Sequence, residues 1–219
     1  MADRSTLRTS SILRRGAAAA GLAVALFGVL PAAADPAVAE AVANHKEEIL
    51  GLRHRIHQNP ELGNRETETA KLVVEHLTRL GFDEIRTGVG HTGVIGILKG
   101  GKPGKVVAVR ADMDALPVTE ATDLPFQSTV TTEYLGQQVG VSHACGHDVH
   151  TAVELGVASV LADLRKEIPG TVVFIFQPAE EGGAGGKAMV DDGLMERFSI
   201  QRVFGMHNLP GLPVGQFAI

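Results

Sequence analysis

The chain has 219 residues, 44% hydrophobic and 21% charged, with a formal net charge of −5 at pH 7. This is the composition of an ordinary globular domain with its own core, and no repeat or low-complexity tract follows the N-terminal region. An acidic balance, one Tyr and no Trp argue against nucleic-acid binding, which needs basic stripes and stacking rings.

Arg4, Arg8, Arg14 and Arg15 precede an uncharged run from Gly16 to Ala34 that ends in Ala32-Ala33-Ala34, with Asp35 next. A positive start, an apolar stretch and small residues at its end read as an export signal over residues 1–34, which gives a periplasmic or secreted protein. An uncleaved anchor is the alternative, because the uncharged run is just long enough to span a bilayer. Arg14-Arg15 leaves the twin-arginine route open beside the general one. Residues 1–34 carry four Arg and one Asp, so cleavage after Ala34 leaves 185 residues with a net charge of −8. No stable membrane association is expected of that body. The lone Cys145 cannot form an internal disulfide, and in an oxidising compartment it needs burial or a metal.

Residues 36–60 place Val38, Val42, Ile49, Leu52 and Ile56 at helical spacing, and Asn59-Pro60 stops the helix. A second helix runs through Leu72, Val73, Leu77 and Leu80 to Gly81, a natural C-terminal stop. The period then changes. "GVIGILKG", "KVVAVRA", "TVVFIFQ" and "RVFGMHN" are short runs rich in β-branched residues, and "GGKPGK" between the first two predicts a hairpin. "HDVHTAVELGVASVLADLRKEIPG" predicts a helix with Val153, Val157, Val160, Leu161 and Leu164 inward. Strands alternating with helices predict an α/β fold, a mixed, largely parallel sheet flanked by helices, in one domain over residues 35–219.

Polar residues gather where the strands end. Asp112 and Asp114 follow one strand, Glu180 and Glu181 another, and His207 a third; Cys145, His147, Asp148 and His150 sit where a loop enters the helix. In open α/β sheets the site lies beyond the carboxyl ends of the strands. Thiolate, imidazole and carboxylate are ligands of a transition metal such as zinc or manganese. Adjacent Glu180 and Glu181 cannot easily point the same way, so one can ligate while the other handles a proton. The helix N-terminus near His147 is expected to support a Cys145 thiolate. Singly the residues have plainer readings: Cys145 as a small buried hydrophobe, Asp148 as a helix N-cap, Asp112 and Asp114 as turn caps, His143 and His150 as supporting or surface groups. "GVSHA" lacks the last glycine of a serine nucleophile elbow, and "EGGAGGKA" lacks the first glycine of a phosphate loop.

"HQNPELGNRE", "RADMDALPV", "HACGHDVHTA", "FQPAEEGGAGGKAMVDDG" and "GMHNLP" resemble, in this order, the signatures of the M20 metallopeptidase family. The resemblance is to its amidohydrolase branch, which holds hippurate hydrolases, N-acyl-amino-acid amidohydrolases and auxin-conjugate hydrolases. It implies a zinc-exopeptidase-like catalytic domain with two divalent ions, zinc or manganese. Carried over by motif, Cys145, His147, Glu181 and His207 are implied as ligands. Glu180 is implied as general base and acid for a metal-activated water, and Asp114 as the acid that orients the site. The implied substrate is a small N-acyl amino acid or peptide. Members of the family run to about twice this length, with a lid and dimerisation domain and a further histidine ligand near the C-terminus. The chain is therefore read as the N-terminal part of such a catalytic domain, expected to be poorly soluble and weakly active or inactive by itself, with homodimers expected of the full-length relatives. Two other readings stay open: a cysteine hydrolase using Cys145 as nucleophile, and an inactive metal-binding remnant.

Overall fold

The computed structural model describes residues 35–219; the export signal or anchor expected over residues 1–34 lies outside the described residues. Helix α1 (Pro36–Gln58) opens with Pro36 in its first turn, where a missing N–H costs nothing, and the Asp35 carboxylate accepts the Ala37 N–H at 2.9 Å. It stops at Asn59 because Pro60 disfavours a helical residue before it. Helix α2 (Thr67–Arg79) closes at Gly81, whose φ of +71° suits glycine.

Strands β1 (Glu84–Val89), β2 (Gly93–Lys99), β3 (Lys102–Asp112), β6 (Pro169–Gln177) and β7 (Arg202–Gly205) form one sheet in the order β1-β2-β6-β3-β7. β6 is parallel to β3, β3 to β7, and β2 is antiparallel to both of its neighbours. Only β2 is therefore reversed, and the sheet is mixed and largely parallel. A separate hairpin, β4 (Thr131–Tyr134) and β5 (Gln137–Gly140), turns through Leu135 and Gly136, both at positive φ. Helix α3 (His147–Asp163) links β3 to β6. The short helices α4 (Gly185–Asp191) and α5 (Leu194–Arg197) precede β7.

β6 is buried on both faces, as its unbroken apolar run requires. Val172, Phe174 and Phe176 enter a core with Leu72, Leu77, Leu98 and Leu155. Val173 and Ile175 point the other way, toward Ile95, Ile97, Met189 and Leu194.

The hairpin expected between β2 and β3 does not form: β6 lies between them and pairs with both. The glycines of "GGKPGK" serve close approach. Gly100 N–H donates to Gly170 O at 2.8 Å and Gly101 N–H to Arg165 O at 2.8 Å, and a Cβ on Gly101 would stand 2.5 Å from the Lys166 carbonyl oxygen. The inward face of α3 also differs in part from expectation. Val160 is buried and Val157 and Leu161 pack against the core as expected, with Leu155, Ala158, Ser159 and Thr151 fully buried beside them, whereas Val153 is 38% exposed and Leu164 lies past the helix end. Val38 and Val42 of α1 are exposed as well.

Candidate metal centre

β3, β6 and β7 end on one rim of the sheet, and the loop into α3 reaches the same rim. Gly146, with φ of +94°, is the N-cap of α3, and a Cβ there would meet the Asn208 side chain at 2.5 Å. Glycine at this position lets the segment after β7 lie against the start of the helix.

His147 sits at the centre and is fully buried. Its Nδ1–H donates to the backbone carbonyl of Asp114 at 2.7 Å, which leaves the lone pair on Nε2. That Nε2 is buried and has no hydrogen-bond partner among the described residues. It faces Asp112 Oδ1 at 3.7 Å, Glu181 Oε1 at 3.9 Å and Glu180 Oε2 at 4.0 Å. An acceptor lone pair turned toward three carboxylates is unfavourable unless a positive charge stands among them. Burial alone would lower the pKa of His147, but its hydrogen bond to Asp114 and the charges of Asp112 and Asp114 outweigh burial and raise it. The site therefore draws cations, and its nitrogen, sulfur and oxygen donors fit a divalent transition metal.

Three donor sets meet at His147, one of them with Asp112 and His150. The ligand atoms of Cys145, His147 and His207 lie within 4.8 Å of one another, and so do those of His147, Glu180 and Glu181. The structure thus brings together all four residues expected as ligands, with Glu180 beside them. Cys145 Sγ is 3.6 Å from His207 Nε2.

The Cys145 thiol departs from expectation. Burial, then a hydrogen bond to Glu181 and the charges of Glu181, Asp112 and Glu180, push its pKa up to about 11, against the thiolate expected from the N-terminus of α3. A thiol protonated at neutral pH is the opposite of what a cysteine nucleophile needs, whereas a divalent cation deprotonates a ligating thiol.

Asp112 and Asp114 leave the same strand end for different tasks. Asp114 accepts the backbone N–H groups of Glu180 and Glu181, each at 2.9 Å, so one buried carboxylate anchors the acid pair while its carbonyl orients His147. Asp112 accepts from His150 Nδ1–H at 2.6 Å and from Arg110 at 2.6 Å. Burial would raise its pKa, but His150, His147 and Arg110 together hold it at about 2. His150 Nε2 in turn accepts the Asn208 backbone N–H at 3.0 Å, next to His207. The chain Asp112–His150–Asn208 thereby fixes the segment that carries His207.

Asp148 is not the N-cap: it lies inside the first turn of α3, buried, and binds His57 at 2.9 Å and Arg53 at 3.1 Å. His57 also reaches Glu120 at 3.1 Å, which ties α1 and the loop after β3 to the start of α3. Burial pushes the pKa of His143 down to about 4; it is an interior residue, not a surface one. Asn208, Glu120 and the partners of Asp148 escaped sequence reasoning, because nothing local distinguishes a buried hydrogen-bonding group from a surface one.

The pattern of peptidase family M20/M25/M40 matches residues 108–219. Over 159 residues the chain is 48% identical to the hippurate hydrolase of Campylobacter jejuni, an alignment that takes in 73% of this chain and 39% of that protein. Over 171 residues it is 42% identical to the N-acetylcysteine deacetylase of Bacillus subtilis, taking in 78% of this chain and 42% of the relative. The chain thus spans about two fifths of the length of these curated relatives. A solved structure from Bacillus subtilis, the YXEP protein, described as a dinuclear metal-binding peptidase of the M20 family, matches with a TM-score of 0.70 at 42% identity, covering 79% of this chain and 45% of that one. The family's pattern runs over more than half of the sequence, through the segments that supply every donor at the rim, and the chain belongs to peptidase family M20/M25/M40.

Proposed function

We propose that the chain carries the metal-holding and proton-transferring groups of a metal-dependent hydrolase that cleaves the amide bond of N-acyl amino acids and related small peptides. The observation that carries this reading is His147: fully buried, its Nδ1–H committed to a backbone carbonyl, and its Nε2 turned toward a thiol and three carboxylates. The names of the relatives favour acylated amino acids as substrates: hippurate hydrolase, N-acetylcysteine deacetylase and an IAA-amino acid hydrolase of Arabidopsis thaliana at 45% identity.

Cys145, His147, Glu181 and His207 would hold the metal, two divalent ions of zinc or manganese. When bound, such ions polarise the amide carbonyl and make water a nucleophile at neutral pH. The chain's own residues do the rest. Glu180, half-exposed at the rim, takes the proton of the attacking water and returns it to the leaving amine. Asp114 keeps that carboxylate in place by gripping the backbone N–H groups of both glutamates. Asp112, through His150 and Asn208, keeps His207 in reach of Cys145.

Glu180→Gln tests the assignment. It should retain metal and lower kcat on hippurate by about 10²- to 10⁴-fold; an unchanged kcat contradicts the role. Export with cleavage after Ala34 belongs to the same proposal, on the strength of the arginine-led uncharged run. Periplasmic material should begin at Asp35 on N-terminal sequencing, and material that keeps residues 1–34 contradicts cleavage.

A further inference from the structure

The loop 59–66, part of the "HQNPELGNRE" stretch, holds none of the ligands, yet it packs against Ala179, next to the acid pair. Glu66 occupies the N-cap position of α2 but makes no capping bond to its own helix. That task falls to Glu61, whose carboxylate accepts the N–H groups of Thr67, Glu68 and Thr69 at 3.0, 3.1 and 2.8 Å. Glu66 is thereby released to point inward, where it is fully buried.

Its Oε1 accepts the backbone N–H of Ala179 at 2.8 Å, and its Oε2 accepts the Thr92 hydroxyl. Ala179 immediately precedes Glu180 and stands at φ of +48°, a left-handed conformation that is strained for a non-glycine residue. Space around Ala179 is closed: a Cβ on Gly183 would lie 2.5 Å from the Ala179 Cβ, and one on Gly63 3.1 Å from it. Three successive N–H groups, of residues 179, 180 and 181, therefore end on two buried carboxylates: Glu66 takes the first and Asp114 the next two. With one end of the turn free, Ala179 would relax to negative φ and swing the Glu180 carboxylate away from the rim.

We propose that Glu66 is a positioning residue for the Glu180–Glu181 pair: by accepting the Ala179 N–H it holds the left-handed turn that aims Glu180 at the site. The claim rests on the function proposed above. What it requires of residue 66 is an acceptor oxygen at full side-chain length, not a charge.

Two variants of the full chain separate this from a merely structural role. Glu66→Gln keeps an acceptor oxygen at the same reach. Glu66→Asp is one methylene short, yet keeps the charge and is a favourable N-cap for α2. Unfolding temperature, zinc affinity by competition with a chelator, and kcat and KM on hippurate are measured for each. Glu66→Asp should stay folded, lose about 10- to 100-fold in kcat with KM unchanged, and bind zinc about 10-fold more weakly, while Glu66→Gln stays within about 3-fold of the parent. Parental kcat and zinc affinity in Glu66→Asp overturn the proposal, as does an equal loss in Glu66→Gln or unfolding of both variants. If the parent binds zinc but leaves hippurate intact, hydrolysis by this chain alone fails, and zinc affinity alone decides the role of Glu66. A parent that binds no zinc overturns both.

Discussion

A thiol surrounded by carboxylates and a histidine that presents a buried lone pair to the same carboxylates are each unfavourable alone. Together they describe a place for a cation. Burial and then Glu181, Asp112 and Glu180 oppose a Cys145 thiolate. A divalent ion reverses that balance, since it is the largest local charge in any site that binds it. Asp114 has a different task. Asp114→Asn keeps the shape but leaves one oxygen and an NH2 group facing two N–H donors, those of Glu180 and Glu181. We expect kcat on hippurate to fall about 10- to 100-fold while the fold persists, as judged by circular dichroism. A variant with parental kcat would remove Asp114 from the account. Sequence reading reached Cys145, His147, Glu180, Glu181 and His207 because acids, imidazoles and a thiol at strand ends are visible in one dimension. It did not reach Glu66 or Asn208. Their partners, Ala179 and His150, are 113 and 58 residues away, and such pairings exist only after folding.

At the scale of elements, the four β-branched runs are strands β2, β3, β6 and β7, and the two N-terminal helices end where Pro60 and Gly81 end them. The hairpin between β2 and β3 failed because "GGKPGK" has turn composition but cannot report that a distant strand inserts there. Its glycines answer to residues 165–170. Gly101→Ala should lower stability by about 1–3 kcal/mol, since its Cβ would collide with backbone that cannot yield, and a urea midpoint equal to the parent's would refute this reading. On α3 the expected inward face holds at Val157, Val160 and Leu161 and fails at Val153 for a related reason. Its N-terminal half buries His147, His150, Thr151 and Glu154 to serve the rim, so the buried stripe is polar there and hydrophobic spacing pointed to Val153 instead. The α2–α3 contact carries a pH dependence. Arg79 donates to His76 Nδ1 at 2.9 Å, so the Nε2–H of His76 donates to Ser159 Oγ at 2.9 Å, and the ring is neutral. Burial and then the Arg79 charge lower its pKa from 6.5. The unfolded chain takes up that proton first, so the stability His76 contributes is present above pH 6.5 and is lost as pH falls toward its folded pKa. The unfolding midpoint should drop on acidification from neutral pH more steeply in the parent than in His76→Gln. Equal slopes would contradict the neutral assignment.

For the molecule as a whole, the sheet and α3 act as a frame that holds four chain segments at one rim before any ion arrives. Donors on different elements link metal binding to folding: an ion that binds only the folded chain stabilises it by about 2.7 kcal/mol at a hundred times its dissociation constant. The charge at the rim also explains why the lone cysteine lies where it does, in contact with His207 and not packed as an inert hydrophobe in the core. The most direct test is the metal content of the purified full chain by mass spectrometry, parent beside Cys145→Ala, with both dialysed against the same zinc and manganese buffers. The account predicts bound zinc or manganese in the parent and a clear loss in Cys145→Ala. Equal metal in the two proteins, or none in the parent, would contradict it.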